Sequence, residues 1–330
     1  MNLSTLPNFV FVVGAPRCGT TTLTDWLKQH PRICFPFVKE PHSFAQHDLR
    51  GLDGKALQRF IEREYLDRFY AGCGPERDTG VDGSVSYLYV PDMLLPALKL
   101  WPNAKFVIAV RDPMTMLPSL HARLRYTGDE TIERFEDAWA AIPDRAAGRR
   151  IPRSCLDPRW LRYDEAGKFG TYVTQFVEAF GAERCFVSVF DDLVAEPAAH
   201  YRRFVAFLGL EPFAGTDFSP KRESVGFRQG WLQRLLKRPP VFARDYLAGK
   251  HFRQRARKLE GGGGDAVTEK IFSIRKRLLR WNRIPLKRSP MPVALQRDIH
   301  QRLEAEIARL GDFLGRDLSH WLEVKDGRLG

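Results

Sequence analysis

The chain is poor in cysteine and places none of its five thiols in a Cys-x-x-Cys pair. Cys18, Cys34, Cys73, Cys155 and Cys185 lie scattered over 330 residues, a pattern that argues against a structural metal site and reads as reduced thiols. No apolar run approaches the ~20 residues that a membrane-spanning helix needs. Met1 to Asn8 lacks a basic patch followed by an apolar core, so no signal peptide is expected and the location expected is cytoplasmic, with peripheral contact at the inner membrane left open. No helix-turn-helix or zinc pattern supports nucleic-acid readout, and none is expected as a partner. There is no internal repeat.

What is present is an ordinary globular content of apolar residues, 44%, and an excess of basic over acidic side chains that leaves a net charge of +12. Such a balance points to anionic partners: nucleotides, sulfated or phosphorylated ligands, acidic polymers or a membrane surface. The length suits one large α/β domain with an extension.

Strand-like runs recur at Phe9–Val13, near Ile33, and at Gly80–Asp82, Lys105–Val110 and Cys185–Phe190. Helical periodicity separates them. Leu23, Trp26 and Leu27 share a face, and Phe169, Tyr172, Val173, Phe176, Val177 and Phe180 form a longer stripe. Alternating strands and helices predict a parallel sheet flanked by helices, a three-layer α/β sandwich. In such sheets ligands bind at the carboxyl ends of strands, where Gly14, Asp82 and Arg111 fall. Residues 1–230 are expected to form this core and 231–330 a basic, mostly helical extension packed on it. Arg145 to Asp164 reads as a loop or cap. The cluster Arg275-Lys276-Arg277 with Arg280, Arg283, Lys287 and Arg288 reads either as a solvated helix face or as a docking patch for an acidic polymer or anionic membrane; Gly261-Gly262-Gly263-Gly264 reads as a flexible break.

The first strand runs into Gly14-Ala15-Pro16-Arg17-Cys18-Gly19-Thr20-Thr21-Thr22. A glycine-bounded loop opening a helix presents backbone N–H groups and the positive end of the helix dipole to a phosphate. The triphosphate-binding pattern Gly-x-x-x-x-Gly-Lys-Ser/Thr is broken, because Thr20 stands where its lysine belongs. The cation of this loop is Arg17. Cys18 reads as a packing residue within it.

Three further segments accompany the loop: Val38-Lys39-Glu40-Pro41-His42-Ser43-Phe44, Gly80-Val81-Asp82-Gly83-Ser84-Val85-Ser86-Tyr87, and Phe106 to Pro113 with Arg111 eight residues before Ser119. Together they resemble the sulfotransferases that use 3′-phosphoadenosine-5′-phosphosulfate (PAPS), in particular the carbohydrate branch that includes the heparan sulfate enzymes. The resemblance runs from Phe9 to about Leu210, with a looser continuation at Lys221 to Trp231. It implies a P-loop-like fold and transfer of a sulfuryl group to a carbohydrate hydroxyl without a metal. It implies that Arg17, Cys18, Gly19, Thr20, Thr21 and Thr22 hold the 5′-phosphosulfate, that Arg111 and Ser119 clamp the 3′-phosphate, and that Glu40 is the base. Phe190 matches a position near the adenine, with core packing as the competing reading. Arg222 and Arg228 match a late loop over the 3′-phosphate. His42 either orients Glu40 or contacts the sulfo group. Other readings are sulfation of a small phenol, alcohol or peptide tyrosine, a kinase with a degenerate phosphate loop, and a non-catalytic polyanion-binding protein.

The departures are specific. The aryl and steroid sulfotransferases carry their base in a Lys-Thr-His segment, and the matching place here is Gly83-Ser84-Val85. Glycan members often carry Glu-Lys-Thr/Ser-Pro, where this chain has Asp82 and Gly83 in place of Glu-Lys. The missing lysine leaves Lys39 or His121 as substitutes. Asp82 and Ser84 read either as ligands of acceptor hydroxyls or as a structural turn.

Overall fold

The computed structural model describes residues 2–219, 225–239, 266–285 and 290–324. Lys287, Arg288, Arg222 and the four-glycine break lie outside the described residues. The chain divides into two compact units, the first made of Met1–Asp112, Phe169–Lys221 and Ala308–Arg316, the second of Pro113–Lys168, Arg222–Ile307 and Asp317–Gly330. The two interleave along the chain.

In the first unit, strands β1 (Asn8–Gly14), β2 (Ile33–Cys34), β3 (Thr79–Asp82), β4 (Lys105–Val110) and β5 (Cys185–Val189) form one sheet in the order β2-β3-β1-β4-β5. All pairings are parallel. Helices flank the sheet. Every residue of β1 after Asn8 is buried, as expected of a central strand covered on both faces. The order places β1 between β3 and β4, where successive connections leave in opposite directions. A crevice opens at the carboxyl end of a strand so placed. The register between β1 and β4 slips between Val12 and Gly14, which releases the end of β1 into the glycine loop.

Aromatic rings fill the space beside β1. Phe9 lies 4.3 Å from Trp101 and 5.6 Å from Tyr70 between ring centres, and Phe11 stacks on Phe106 at 5.7 Å. Gly80 of β3 faces the Phe9 ring so closely that a methyl group there would run into it. Helix Thr20–Gln29 buries Leu23, Trp26 and Leu27, and helix Phe169–Phe180 buries Phe169, Val173, Phe176, Val177 and Phe180. The stripe read from the sequence is therefore a packing face.

Two expectations change. Cys34 and Cys73 are joined by a disulfide, with Cα atoms 5.7 Å apart; Cys18, Cys155 and Cys185 are free. The hydrogen bond from Phe37 N–H to Phe69 O at 2.9 Å holds the two segments side by side, a juxtaposition that a sequence separation of 39 conceals. The segment Arg145 to Asp164 is also more than a loop. It contains a helical turn at Pro158–Leu161, and Arg145 itself is buried in the second unit against Glu130, at 2.5 Å. Tyr163 donates to the same carboxylate at 2.9 Å.

The second unit also holds helices Pro113–Thr127, Gly230–Lys237 and Ala266–Trp281 and an antiparallel pair, β6 (Val225–Phe227) with β7 (Arg283–Pro285). Buried Asn282 ties them together by donating to Gln229 O and Gln233 Oε1, both at 3.1 Å. Of the basic cluster, Arg275 is half-buried and donates to Leu236 O at 2.9 Å, whereas Lys276, Arg277, Arg280 and Arg283 are exposed.

Two stability outcomes follow from these contacts. Gly80→Ala should cost about 1–3 kcal/mol, because the rings around Phe9 leave it nowhere to move. Glu130→Ala should cost about 3–5 kcal/mol by stranding the Arg145 guanidinium. Thermal unfolding by circular dichroism would measure both; an unchanged midpoint in either variant would contradict the packing described.

Candidate active site

The loop after β1 is built around two glycines that the backbone requires. Gly14 has φ 145 and Gly19 has φ 93, both in the range that favours glycine. A side chain at Gly14 would meet Val85 O at 2.8 Å, and one at Gly19 would meet Phe190 Cδ2 at 3.0 Å. Gly19 caps helix Thr20–Gln29 with no side-chain cap hydrogen bond, and the N–H groups of the helix start are suited to an anion.

Arg17 adopts φ 65, a left-handed conformation uncommon outside glycine and typical of functional loops. Its carbonyl accepts from Arg111 Nη1 at 3.4 Å. Arg111 follows β4 directly, and its guanidinium lies 4.1 Å above the Phe190 ring, a cation–π contact. Phe190 thus sits against both Gly19 and Arg111 at the end of β5. The Cys18 thiol is buried and directed at Pro16 O. Burial pushes it well above its ordinary range, so Cys18 offers the site only its backbone.

The second cluster is Lys39, Glu40 and His42. Lys39 Nζ lies 3.0 Å from Glu40 Oε1, and His42 Nε2 lies 3.6 Å from Glu40 Oε2. The Glu40 side chain is 35% exposed. Burial raises its carboxyl, but the neighbouring His42 ring and the charge and hydrogen bond of Lys39 outweigh that and hold it down at about 2. Phe44 anchors the segment by packing between Phe11, Tyr65 and Tyr87.

The loop after β3 joins the two clusters. Val85 O presses on Gly14. Gly83 N–H donates to Lys39 O at 3.1 Å, and a Cβ at Gly83 would touch Thr24 Cγ2 at 3.1 Å and Lys39 Cγ at 3.4 Å. Thr24 lies one turn into the helix behind the phosphate loop, so Gly83 sets the distance between that helix and the Lys39–Glu40 segment. A Cβ at Gly83 would also come within 3.1 Å of Lys39 O.

Several expected residues have other places. Asp82 and Ser84 are fully buried. Ser84 N–H and hydroxyl both donate to Asp82 Oδ1, at 2.9 and 2.5 Å, while Tyr65 and Tyr87 hydroxyls donate to Oδ2, at 2.7 and 3.0 Å. These bonds make both residues internal supports of the loop. Burial pushes the Asp82 carboxyl up despite these bonds. His121 is a core residue of the second unit, bonded to Ile132 O at 3.0 Å and packed against Phe135 and Tyr163. Burial holds it down at about 4, so neither the lysine-substitute nor the acceptor-binding expectation fits it. Ser119 is buried in the second unit on helix Pro113–Thr127. Arg228, also in that unit, lies over Trp281 at 5.8 Å. Sequence reasoning passed over Tyr65, Ser86 and Tyr87. Tyr65 comes from a π turn at Ile61–Leu66 that no local signal announces; Ser86 and Tyr87 stood beside Asp82 in the quoted segment.

Among the described residues no group of His, Cys, Asp and Glu could hold a metal ion, and no helix is long and apolar enough to cross a membrane. A family described as the sulfotransferase family matches residues 7–214. Human (Homo sapiens) carbohydrate sulfotransferase 15 is 40% identical over 260 residues, 64% of this chain and 45% of that protein. The bifunctional heparan sulfate N-deacetylase/N-sulfotransferase 4 of Mus musculus is 25% identical over 214 residues, 63% of this chain and 23% of that protein. The chain therefore spans under half the length of these relatives. A crystal structure of a sulfotransferase from Alicyclobacillus acidocaldarius shares the fold, with a TM-score of 0.61 at 22% identity over 95% of this chain and 98% of that one.

The Glu40 geometry has a pH signature. The folded chain binds the Glu40 proton more weakly than the unfolded chain, whose glutamate has the ordinary value of 4.5. The stabilisation is complete above that value and is lost as pH falls toward 2. Carbon-13 NMR of the Glu40 carboxyl should show a midpoint far below 4.5, rising in Lys39→Met. A midpoint of ordinary value in the native protein would contradict the cluster.

Proposed function

Because the chain belongs to the sulfotransferase family, we propose that it transfers the sulfuryl group of PAPS to a hydroxyl of a carbohydrate-type acceptor, with Glu40 as general base. The observation that carries this reading is the joining of two clusters through Gly83: an anion-binding helix start with Arg17 and Arg111 beside it, and a carboxylate held between Lys39 and His42. The carbohydrate class is supported by the names of the two relatives and by the Glu-x-His segment.

The donor set fits a doubly phosphorylated nucleotide. The N–H groups of Thr20, Thr21 and Thr22 and the fork of Arg17 suit the 5′ end, and Arg111 suits the 3′-phosphate, with Phe190 placed to bound the base. For Ser119 the support is its eight-residue spacing from Arg111. Arg228 has no support beyond sequence likeness, and Arg222 lies outside the described residues. In the reaction the sulfur–oxygen bond to the phosphate breaks, a sulfur–oxygen bond to the acceptor forms, the leaving phosphate takes the electron pair and Glu40 takes the hydroxyl proton. Positioning and charge stabilisation supply most of the acceleration in such loose transfers. Lys39 and His42 depress Glu40 while they face it. Both are suited to donate to sulfo oxygens, and turning to that task would return basicity to the carboxylate when the donor is bound.

The Cys34–Cys73 bond bears on location. Disulfides persist in oxidising compartments and are rare in the cytoplasm of mesophiles, which argues against the cytoplasmic expectation.

Titration calorimetry with adenosine 3′,5′-bisphosphate tests the reading. Arg111→Ala should weaken binding at least about tenfold, the loss of one charge-assisted contact of roughly 1.5–3 kcal/mol. Glu40→Gln should bind as the native protein does while transfer of radiolabelled sulfate to a panel of glycan and phenol acceptors is lost. Preference for ATP, or undiminished turnover by Glu40→Gln, would overturn the assignment.

A further inference from the structure

His42 is held from two directions by the loop after β3. Its backbone N–H donates to Ser84 Oγ at 2.8 Å, and Ser84 is fixed in turn by Asp82, whose carboxylate accepts from Ser84, Tyr65 and Tyr87. This buried cluster accounts for the left-handed backbone of His42, φ 55, a conformation that persists only where the surroundings over-determine it. The ring is governed separately. Its Nδ1 lies 2.7 Å from Ser86 Oγ, and its Nε2 faces Glu40 Oε2 at 3.6 Å. Ser86 is 5% exposed, so its hydroxyl has little access to water as a competing partner.

A neutral imidazole carries one N–H and one lone pair, and the partner of one nitrogen decides the state of the other. Directing the Nε2 lone pair at an ionised carboxylate would set two electron pairs against each other. The proton therefore belongs on Nε2, and Nδ1 must accept. We propose that Ser86 is a positioning residue that donates its hydroxyl to His42 Nδ1, holding the ring so that the Nε2–H set by Glu40 is presented as a donor toward Glu40 and the sulfo group. His42 is thereby removed as a competing base, and Glu40 is left to take the alcohol's proton. The catalytic consequence rests on the sulfotransferase reading; the tautomer does not.

Two-bond nitrogen–proton correlation spectra of the full chain, labelled at histidine and recorded where imidazole is neutral, test this, with His42 assigned through His42→Gln. The native protein should show the Nε2–H pattern with Nδ1 shifted by an accepted hydrogen bond; Ser86→Ala should keep Nε2–H toward Glu40 but lose that Nδ1 shift, and Ser86→Thr, which keeps the hydroxyl, should restore it. Ser86→Ala should bind adenosine 3′,5′-bisphosphate as the native protein does, with KM for the donor unchanged and kcat reduced roughly tenfold by a misdirected ring; Ser86→Thr should recover kcat. An Nδ1–H pattern in the native protein, or a Ser86→Ala variant with native spectra and native kcat, would overturn the proposal. Absence of any sulfuryl transfer by the native protein would count against the functional reading alone, and the spectra would still decide the tautomer.

Discussion

The close approach of two loops governs this site. The chain leaving β3 presses on the chain leaving β1, with Val85 O against Gly14 and Gly83 against both Thr24 and the Lys39 stem. A side chain at Gly14 would force a shift, and one at Gly83 would fit only if its neighbours gave by a few tenths of an ångström. The central position of β1 in the sheet supplies the crevice; the two glycines decide how narrow it is.

Within that frame the electrostatics are asymmetric. The phosphate loop and the end of β4 together offer backbone N–H groups and two arginines. One of these, Arg111, is steadied by the Phe190 face and the Arg17 carbonyl. The neighbouring segment offers one carboxylate flanked by a lysine and a histidine. Beneath it lies a buried carboxylate, Asp82, satisfied by hydroxyl and backbone donors. An acidic group placed so deep fixes geometry through its hydrogen bonds, and its charge is kept from the surface where the ligand would lie.

Much of this was legible in the residues. The five strands and the stripe at Phe169–Phe180 follow from apolar runs and periodicity, which burial on both faces of a parallel sheet imposes directly. Arg17 and Arg111 could be named because they follow closely on strand ends, and Glu40 through the likeness of its Glu-x-His segment to the carbohydrate sulfotransferases. What could not be read came from contacts distant in sequence. The Cys34–Cys73 bond depends on two segments that meet only in the fold. The burial of Asp82 and Ser84 depends on Tyr65, delivered by a π turn. His121 carries no local mark of its place among Phe135 and Tyr163. Polar residues near a motif look alike in sequence whether they face solvent or the core.

A crystal structure with adenosine 3′,5′-bisphosphate and a bound glycan acceptor tests the central claim most directly. The account predicts the 5′-phosphate on the N–H groups that open helix Thr20–Gln29, beside Arg17, with Glu40 within hydrogen-bond reach of an acceptor hydroxyl. A nucleotide bound away from the Gly14–Gly19 loop, or a Glu40 carboxylate turned from the acceptor, would contradict it.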